Sequence, residues 1–165
     1  MLGNDVQPLS RIYLTIAKGR IVRTNEDGSK VFYTYVEGRL VSIHSKERSF
    51  GKERVKYWYL DVQDGEELYS IGLPLYSGVL RSIILSLASE EELSSDTPLR
   101  IETYESKGYT KASVYSEGVK LDWITKQLPP VKELQIGGRI VKDESERDAY
   151  IEQLILKIKG QIEKK

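Results

Sequence analysis

Between Lys46 and Val62 the chain reads KERSFGKERVKYWYLDV. Lys46, Arg48, Lys52, Arg54 and Lys56 are spaced through its first eleven positions, and Tyr57, Trp58 and Tyr59 follow without a gap. These residue types hold ligands rather than break bonds. Ammonium and guanidinium groups neutralise phosphates and release the counterions condensed on a polyanion. Flat rings stack on unpaired bases, at about 1–3 kcal/mol per base and with little regard to which base it is. A stretch with both ingredients matches what a single-stranded nucleic acid presents. The competing reading is a surface hairpin whose solubilising charges lead into a core strand. Residues of the same types recur upstream as Tyr33, Tyr35 and Arg39, and downstream as Lys107, Tyr109 and Lys111 around a turn that also follows Tyr104.

Bond-making chemistry finds less support. The chain has no cysteine, which excludes disulfides, a thiol nucleophile and the usual zinc ribbons. His44 is the only histidine, so a Ser-His-Asp arrangement would have to use it and a multi-histidine metal site is excluded. It reads as a strand-end or surface residue. Neither G-x-x-x-x-G-K-[ST] nor G-x-G-x-x-G occurs. The acids of DVQDGEE (61–67) would need to form a metal cluster or a carboxylate pair, but Asp64-Gly65 marks them as a solvated hairpin turn. Glu90, Glu91 and Glu92 read as a solvated helix end. The expectation is a protein that is not an enzyme and uses no cofactor or metal.

Composition narrows the class further. A chain of 165 residues, 39% of them hydrophobic, is long and apolar enough to bury a real core. No run approaches the roughly 20 apolar residues of a bilayer span. MLGNDVQPLS lacks the basic-then-apolar pattern of a secretory leader. With no cysteines, this fits a cytoplasmic protein. The net charge of zero hides an asymmetry: residues 1–60 hold 11 Lys and Arg against 6 Asp and Glu, while the remainder is acidic by the same margin. A basic face is compatible with that balance.

The elements that must position these residues are mostly strands. RIYLTIAKGRIVRT (11–24) starts in strict alternation, with Ile12, Leu14 and Ile16 on one side, and Gly19 permits a kink or turn before Ile21. Asp27-Gly28 favours a tight hairpin. VFYTYVEGRLVSIHS (31–45) reads as one long strand bent at Gly38. KERSFGKER is a connecting loop around Gly51, RVKYWYLDV (54–62) a strand, and ELYSIGL (67–73) its hairpin partner, ended by Pro74. Leu80, Ile83, Ile84 and Leu87 have helical spacing, which predicts one amphipathic helix over 77–89. Strands return at 99–106 and 109–116, extended or reversed by GVKLDWI (118–124), where Trp123 is expected to pack. KQLPPVKELQIGG reads as a linker. The last element is a helix with a capping box at Ser145 and Asp148 and an apolar stripe of Ile151, Leu154, Ile155, Ile158 and Ile162. The expected organisation is a domain over 1–125, a linker over 126–142 and a C-terminal amphipathic helix over 143–165.

Without the N-terminal strand and the last helix, the order is three strands, a helix and two strands, the first strand long and bent. That order describes a closed antiparallel barrel of the OB-fold kind. Over residues 30–125 the chain resembles the OB-fold single-stranded-DNA-binding proteins of bacteria and their phages. The resemblance rests on the bent strand FYTYVEGRLVSI, the basic loop and aromatic strand KERVKYWYLDV, the hairpin DGEELYSIGLPL, the helix LRSIILSLAS and the late pair LRIETYESKGYTKASVYSEGVKLDW. It implies a mainly β, OB-fold-like closed barrel with an N-terminal extra strand or hairpin. It also implies non-specific single-stranded DNA binding in support of replication, recombination or repair, with replication or recombination proteins as partners. RNA is the other polymer that meets the same chemistry. One departure is clear: bacterial members end in a glycine-rich tail with an acidic tip, whereas this chain ends in a lysine-rich, apolar-striped helix. A phage or mobile-element version with its own C-terminal attachment fits that difference.

Strand parity sorts the rings. Leu60 and Val62 share a side with Lys56 and Trp58, so an inward Leu60 buries Trp58 and turns Tyr57 and Tyr59 outward. The alternative orientation puts Trp58 on the ligand. Tyr33 and Tyr35 also share a side, and with Tyr57 and Tyr59 they would make a four-ring platform; Tyr104, Lys107, Tyr109 and Lys111 would form the opposite wall of its groove or, equally, a solvated hairpin tip. The C-terminal stripe is expected to bury against the barrel or, in the favoured reading, against the same helix of another subunit as a homo-oligomer. The rival function is a β-barrel protein-interaction or structural module of a phage or mobile element that binds protein through the same aromatic face.

Overall fold

The computed structural model describes residues 11–163. The N-terminal alternation folds as a hairpin of β1 (Arg11–Ala17) and β2 (Arg20–Thr24), because Lys18 and Gly19, with φ of 51° and 75°, turn the chain within two residues. The expected single strand over 31–45 is interrupted at Thr34. Its first part, β3 (Lys30–Tyr33), pairs with β2, and its second, β4 (Tyr35–Phe50), pairs with β5 (Glu53–Asp64) on one side and β7 (Pro98–Ser106) on the other. Strand β6 (Glu67–Pro74) completes the first run, and β8 (Tyr109–Ser116) and the short β9 (Val119–Lys120) complete the second.

Gly38 lies where β4 passes from pairing with β7 to pairing with β5, and a side chain is excluded there. A Cβ there would lie 2.5 Å from the carbonyl oxygen of Gln63 and 2.8 Å from a methyl of Val62. A register shift between Leu40 and Ser42 marks a bulge just beyond it.

The architecture is mainly β, as expected, but the sheet does not close. Nine strands form one mixed sheet in the order β3-β2-β1-β6-β5-β4-β7-β8-β9. The closed antiparallel barrel is corrected by β1, which pairs in parallel with β6 and so occupies the edge a closing strand would need. The tip of the β1–β2 hairpin instead reaches the β7–β8 hairpin. Gly19 N–H donates to Thr110 Oγ1 at 3.0 Å, and Thr103 Oγ1 donates to the Gly19 carbonyl at 3.1 Å. A Cβ on Gly19 would sit 2.9 Å from the Glu105 nitrogen, so only glycine permits the approach.

Inside the curled sheet lie Leu14, Ile21, Leu40, Ile43, Trp58, Leu60, Ile71 and Val114. Helix α1 (Gly78–Ala88) starts where Ser77 Oγ accepts from Leu80 N–H. It is buried almost all round rather than on one face, because a second helix covers the side turned from the sheet. That helix, α2 (Ser145–Ile162), buries Ile151, Leu154, Ile155, Ile158 and Ile162 within the chain. The oligomerisation stripe is thereby corrected: these side chains are already covered. Polar contacts fix the dock. Arg81 on α1 pairs with Asp148 at 2.9 Å and Glu144 at 3.5 Å, and Lys157 donates to the Ala88 carbonyl at the end of α1. Asp148 therefore serves Arg81 rather than a capping box, and the Asp143 carboxylate accepts from Ser145 N–H at 3.0 Å.

The expected linker over 126–142 also contains structure. Its second half forms a separate two-stranded sheet, β10 (Lys132–Ile136) and β11 (Arg139–Asp143), turned by Gly137 and Gly138 at φ of 58° and 77°.

Candidate nucleic-acid interface

The basic stretch is not a loop. β4 runs on to Phe50, and Gly51 at φ 62° begins a two-residue turn with Lys52, after which Phe50 faces Glu53 across the ladder. Gly at the first central position suits a type II′ turn, whose twist matches the strands it joins. The result is a long two-stranded ribbon. Its register pairs His44 with Tyr59, Lys46 with Tyr57 and Arg48 with Val55 on one face, and Ser45 with Trp58, Glu47 with Lys56 and Ser49 with Arg54 on the other. Parity thus divides the cations that the sequence presents as one run.

On the outer face the rings and a cation converge. The Arg48 guanidinium lies 5.3 Å from the Tyr57 ring centre and 5.5 Å from that of Tyr59. Phe50 leans on Tyr57 with centroids 6.1 Å apart, and Tyr13 from β1 meets Tyr59 edge-on at 6.4 Å. Together with Thr15, Val22 and Thr24 they line an open groove of about 370 Å³ that contains no carboxylate among the described residues. Burial is the main influence pushing the Tyr57 phenol above its ordinary value, with Arg48 opposing it, so the ring carries no charge at neutral pH.

Trp58 points into the core and is 5% exposed, as the favoured parity requires. Tyr59 does face outward, but it is only 3% exposed, which corrects its expected role as an open stacking surface. It lies under Tyr13, His44 and Arg48 and against Gly72, where a Cβ would come within 2.6 Å of its ring. Tyr59 is therefore the floor of the groove, and Tyr57, Phe50 and Tyr13 offer the accessible ring surface. Beside it is a polar nest that residue patterns do not reveal. Asp61, expected in a solvated turn, is fully buried; it accepts from Ser42 Oγ at 2.6 Å and Arg11 at 3.2 Å, and His44 Nδ1 lies 3.5 Å away. His44 stacks on Tyr59 at 5.4 Å and 13°. His44 links this nest to the floor ring.

The remaining expected residues scatter. Lys46 is exposed on the groove face opposite Tyr57, and Lys52 is exposed in the turn. Lys56 points the other way, donating to Glu152 of α2 at 2.9 Å with its ammonium 5.0 Å from the Trp58 ring. Arg54 shares that face and lies 3.9 Å from Glu47. Arg39 pairs with Asp96 at 3.2 Å. Tyr35 is covered by the Arg100 guanidinium at 3.9 Å, which is itself held by Glu37 and Glu102. Tyr33 lines a different cavity with Arg23, Tyr69, Glu37 and Asp64. The four-ring platform is thus corrected to two separate places.

Tyr109 and Lys111 line another cavity, of about 470 Å³, with Tyr104, Lys120 and Lys126. Trp123, expected to pack, is 45% exposed there. Lys107 sits in the β7–β8 turn at φ 53°. These residues do not form the far wall of the Arg48 groove. Tyr13 and Phe50, absent from the expected site, carry a legible signal all the same: each is an aromatic on the solvent parity of its strand.

No helix among the described residues is long and apolar enough to cross a membrane. No family model, curated protein or solved structure matches the chain.

Proposed function

We propose that this chain binds single-stranded DNA with little sequence preference, through phosphate neutralisation and base stacking on the outer face of the β4–β5 ribbon. The observation that carries the reading is the groove that Tyr13, Phe50 and Tyr57 line together with Arg48, with no acidic side chain among the described residues of its lining. Two other cavities are lined by carboxylates, Glu37 and Asp64 in one and Glu37, Asp64, Glu102 and Glu117 in the other, and would repel a polyanion. The connectivity β4-β5-β6-α1-β7-β8 supports it as well, being the strand and helix order of an OB-fold. Lys46 and Lys52 extend the cationic edge beyond the groove. The role is to cover unwound strands in the cytoplasm for replication, recombination or repair proteins, in a phage or mobile-element setting.

A fluorescence titration with oligo-dT tests this. Quenching of tyrosine emission that reverses as salt is raised is expected, because each contacted phosphate of a single strand contributes a slope of about −0.7 in log affinity against log salt. Absence of binding at low salt, or binding indifferent to salt and to Arg48→Glu, overturns the proposal. A salt-indifferent interaction would instead favour a protein partner on the same rings.

A further inference from the structure

The β10–β11 hairpin stands apart from the main sheet, and its side chains are open to solvent on both faces. Leu134, Ile136, Ile140 and Val141 are 43%, 61%, 64% and 44% exposed. An isolated two-stranded hairpin is marginal in water, and three or more strands with an apolar face are needed for stability. Each strand pairs only with the other, so among the described residues the outer edge of each lacks a strand partner. Such an edge is a template for another strand.

We propose that the free edge of β11 pairs antiparallel with β11 of a second copy, centred on Val141, giving a symmetric dimer. Charge complementarity selects this occupant and this register. With Val141 opposite itself, Arg139 of each copy faces Asp143 of the other, and the two-fold axis forms the pair twice. The same operation on β10 places Lys132 opposite Ile136 and Glu133 opposite Gln135, with no ion pair gained. Backbone groups also fit. The two-residue turn closes on a hydrogen-bonded Ile136–Arg139 pair, so Arg139, Val141 and Asp143 bond toward β10 while Ile140 and Lys142 present their N–H and C=O outward. In the Val141-centred register Ile140 meets Lys142 of the second copy, which makes those outward groups partners. Leu134 and Val141 lie opposite each other on one face, and four such side chains, two per copy, form a continuous apolar strip across the four-stranded sheet. This surface is separate from the Arg48 groove, and the dimer stands whether or not DNA binds there.

Sedimentation velocity on the full chain over a concentration series tests the dimer. The unaltered protein is expected to dimerise reversibly. Arg139→Asp sets carboxylate against carboxylate and Asp143→Arg sets guanidinium against guanidinium, so each single variant is expected to lose the dimer. Asp143 also bonds to Ser145 at the start of α2, so circular dichroism must show each variant folded, and the decisive step is mixing. In an equimolar mixture of the two single variants, both carboxylates of the Arg139→Asp chain meet the two guanidinium groups of the Asp143→Arg chain. That mixture is expected to restore a heterodimer. The chain carrying both substitutions is expected to restore a homodimer. A monomeric unaltered protein, single variants that still dimerise, or a mixture of folded single variants that stays monomeric would each overturn the proposal.

Discussion

The two faces of the β4–β5 ribbon carry nearly the same residue types and do different things. On the outer face Arg48 stands among rings in a groove with no carboxylate among its described lining residues, Lys46 is exposed opposite Tyr57, and the one acid nearer the turn, Glu53, faces Phe50. On the inner face Arg54 and Lys56 meet Glu47 and Glu152, and Trp58 fills the core. Five basic residues within eleven positions therefore do not make one patch. Whether a cation serves a ligand or the fold depends on what parity places opposite it.

The largest effect that separates the faces is one of stability. Ile155→Ala removes a fully buried side chain of α2 beneath the inner face and is expected to cost about 2–5 kcal/mol in denaturant unfolding. The affinity of the folded fraction for oligo-dT should not change; if it falls in proportion, the faces are not independent. Next, Tyr57→Ala is expected to weaken oligo-dT binding by about 1–3 kcal/mol, the worth of one stacked base, with little change in stability. An unaltered dissociation constant would remove Tyr57 from the interface.

A finer comparison sets cation against cation. Arg48→Ala should reduce the salt slope of binding by about 0.7, one phosphate's worth, whereas Lys56→Ala should leave it unchanged. Equal slopes for the two variants would erase the distinction between the faces. The smallest effect lies outside the ribbon. The Ser145 side chain and backbone hold the Asp143 carboxyl below its ordinary value of 3.8. Its contribution to α2 is thus fully present above that value and is lost as pH falls through the depressed one. Asp143→Asn is expected to flatten the acid limb of the stability profile slightly, as measured by thermal melts between neutral and acidic pH.

Much of the fold is legible in residue patterns, and the departures have physical causes. The strands of the main sheet, both helices and the orientation of Trp58 follow from periods of 2 and 3.6, which are local, whereas β10 and β11 read as a linker because prolines precede them and a glycine pair lies between them. The extent of β4 escapes such a reading because polar residues in an exposed ribbon look like a loop, although Gly51-Lys52 marks a two-residue turn. Tyr59 reads as open because parity gives a direction, not what lies above it; Tyr13 is 46 positions away in sequence. Asp61 reads as solvated from its proximity to Asp64-Gly65, yet its neighbours Arg11 and Ser42 come from other strands. The stripe on α2 correctly requires burial, but no local pattern distinguishes a partner helix in the same chain from one in another.

The contact of Gly19 with Thr103 and Thr110 bridges 84 and 91 positions. During synthesis, at roughly 5–20 residues per second, the first hairpin must wait on the order of 5–20 s for the segment that clasps it. Through that interval β1 can already pair with β2 and β6, but the tip of its hairpin is left unclasped. A ribosome-stalled chain ending before Thr103 should leave the Lys18–Gly19 tip open to protease, and one long enough to expose Thr110 should protect it.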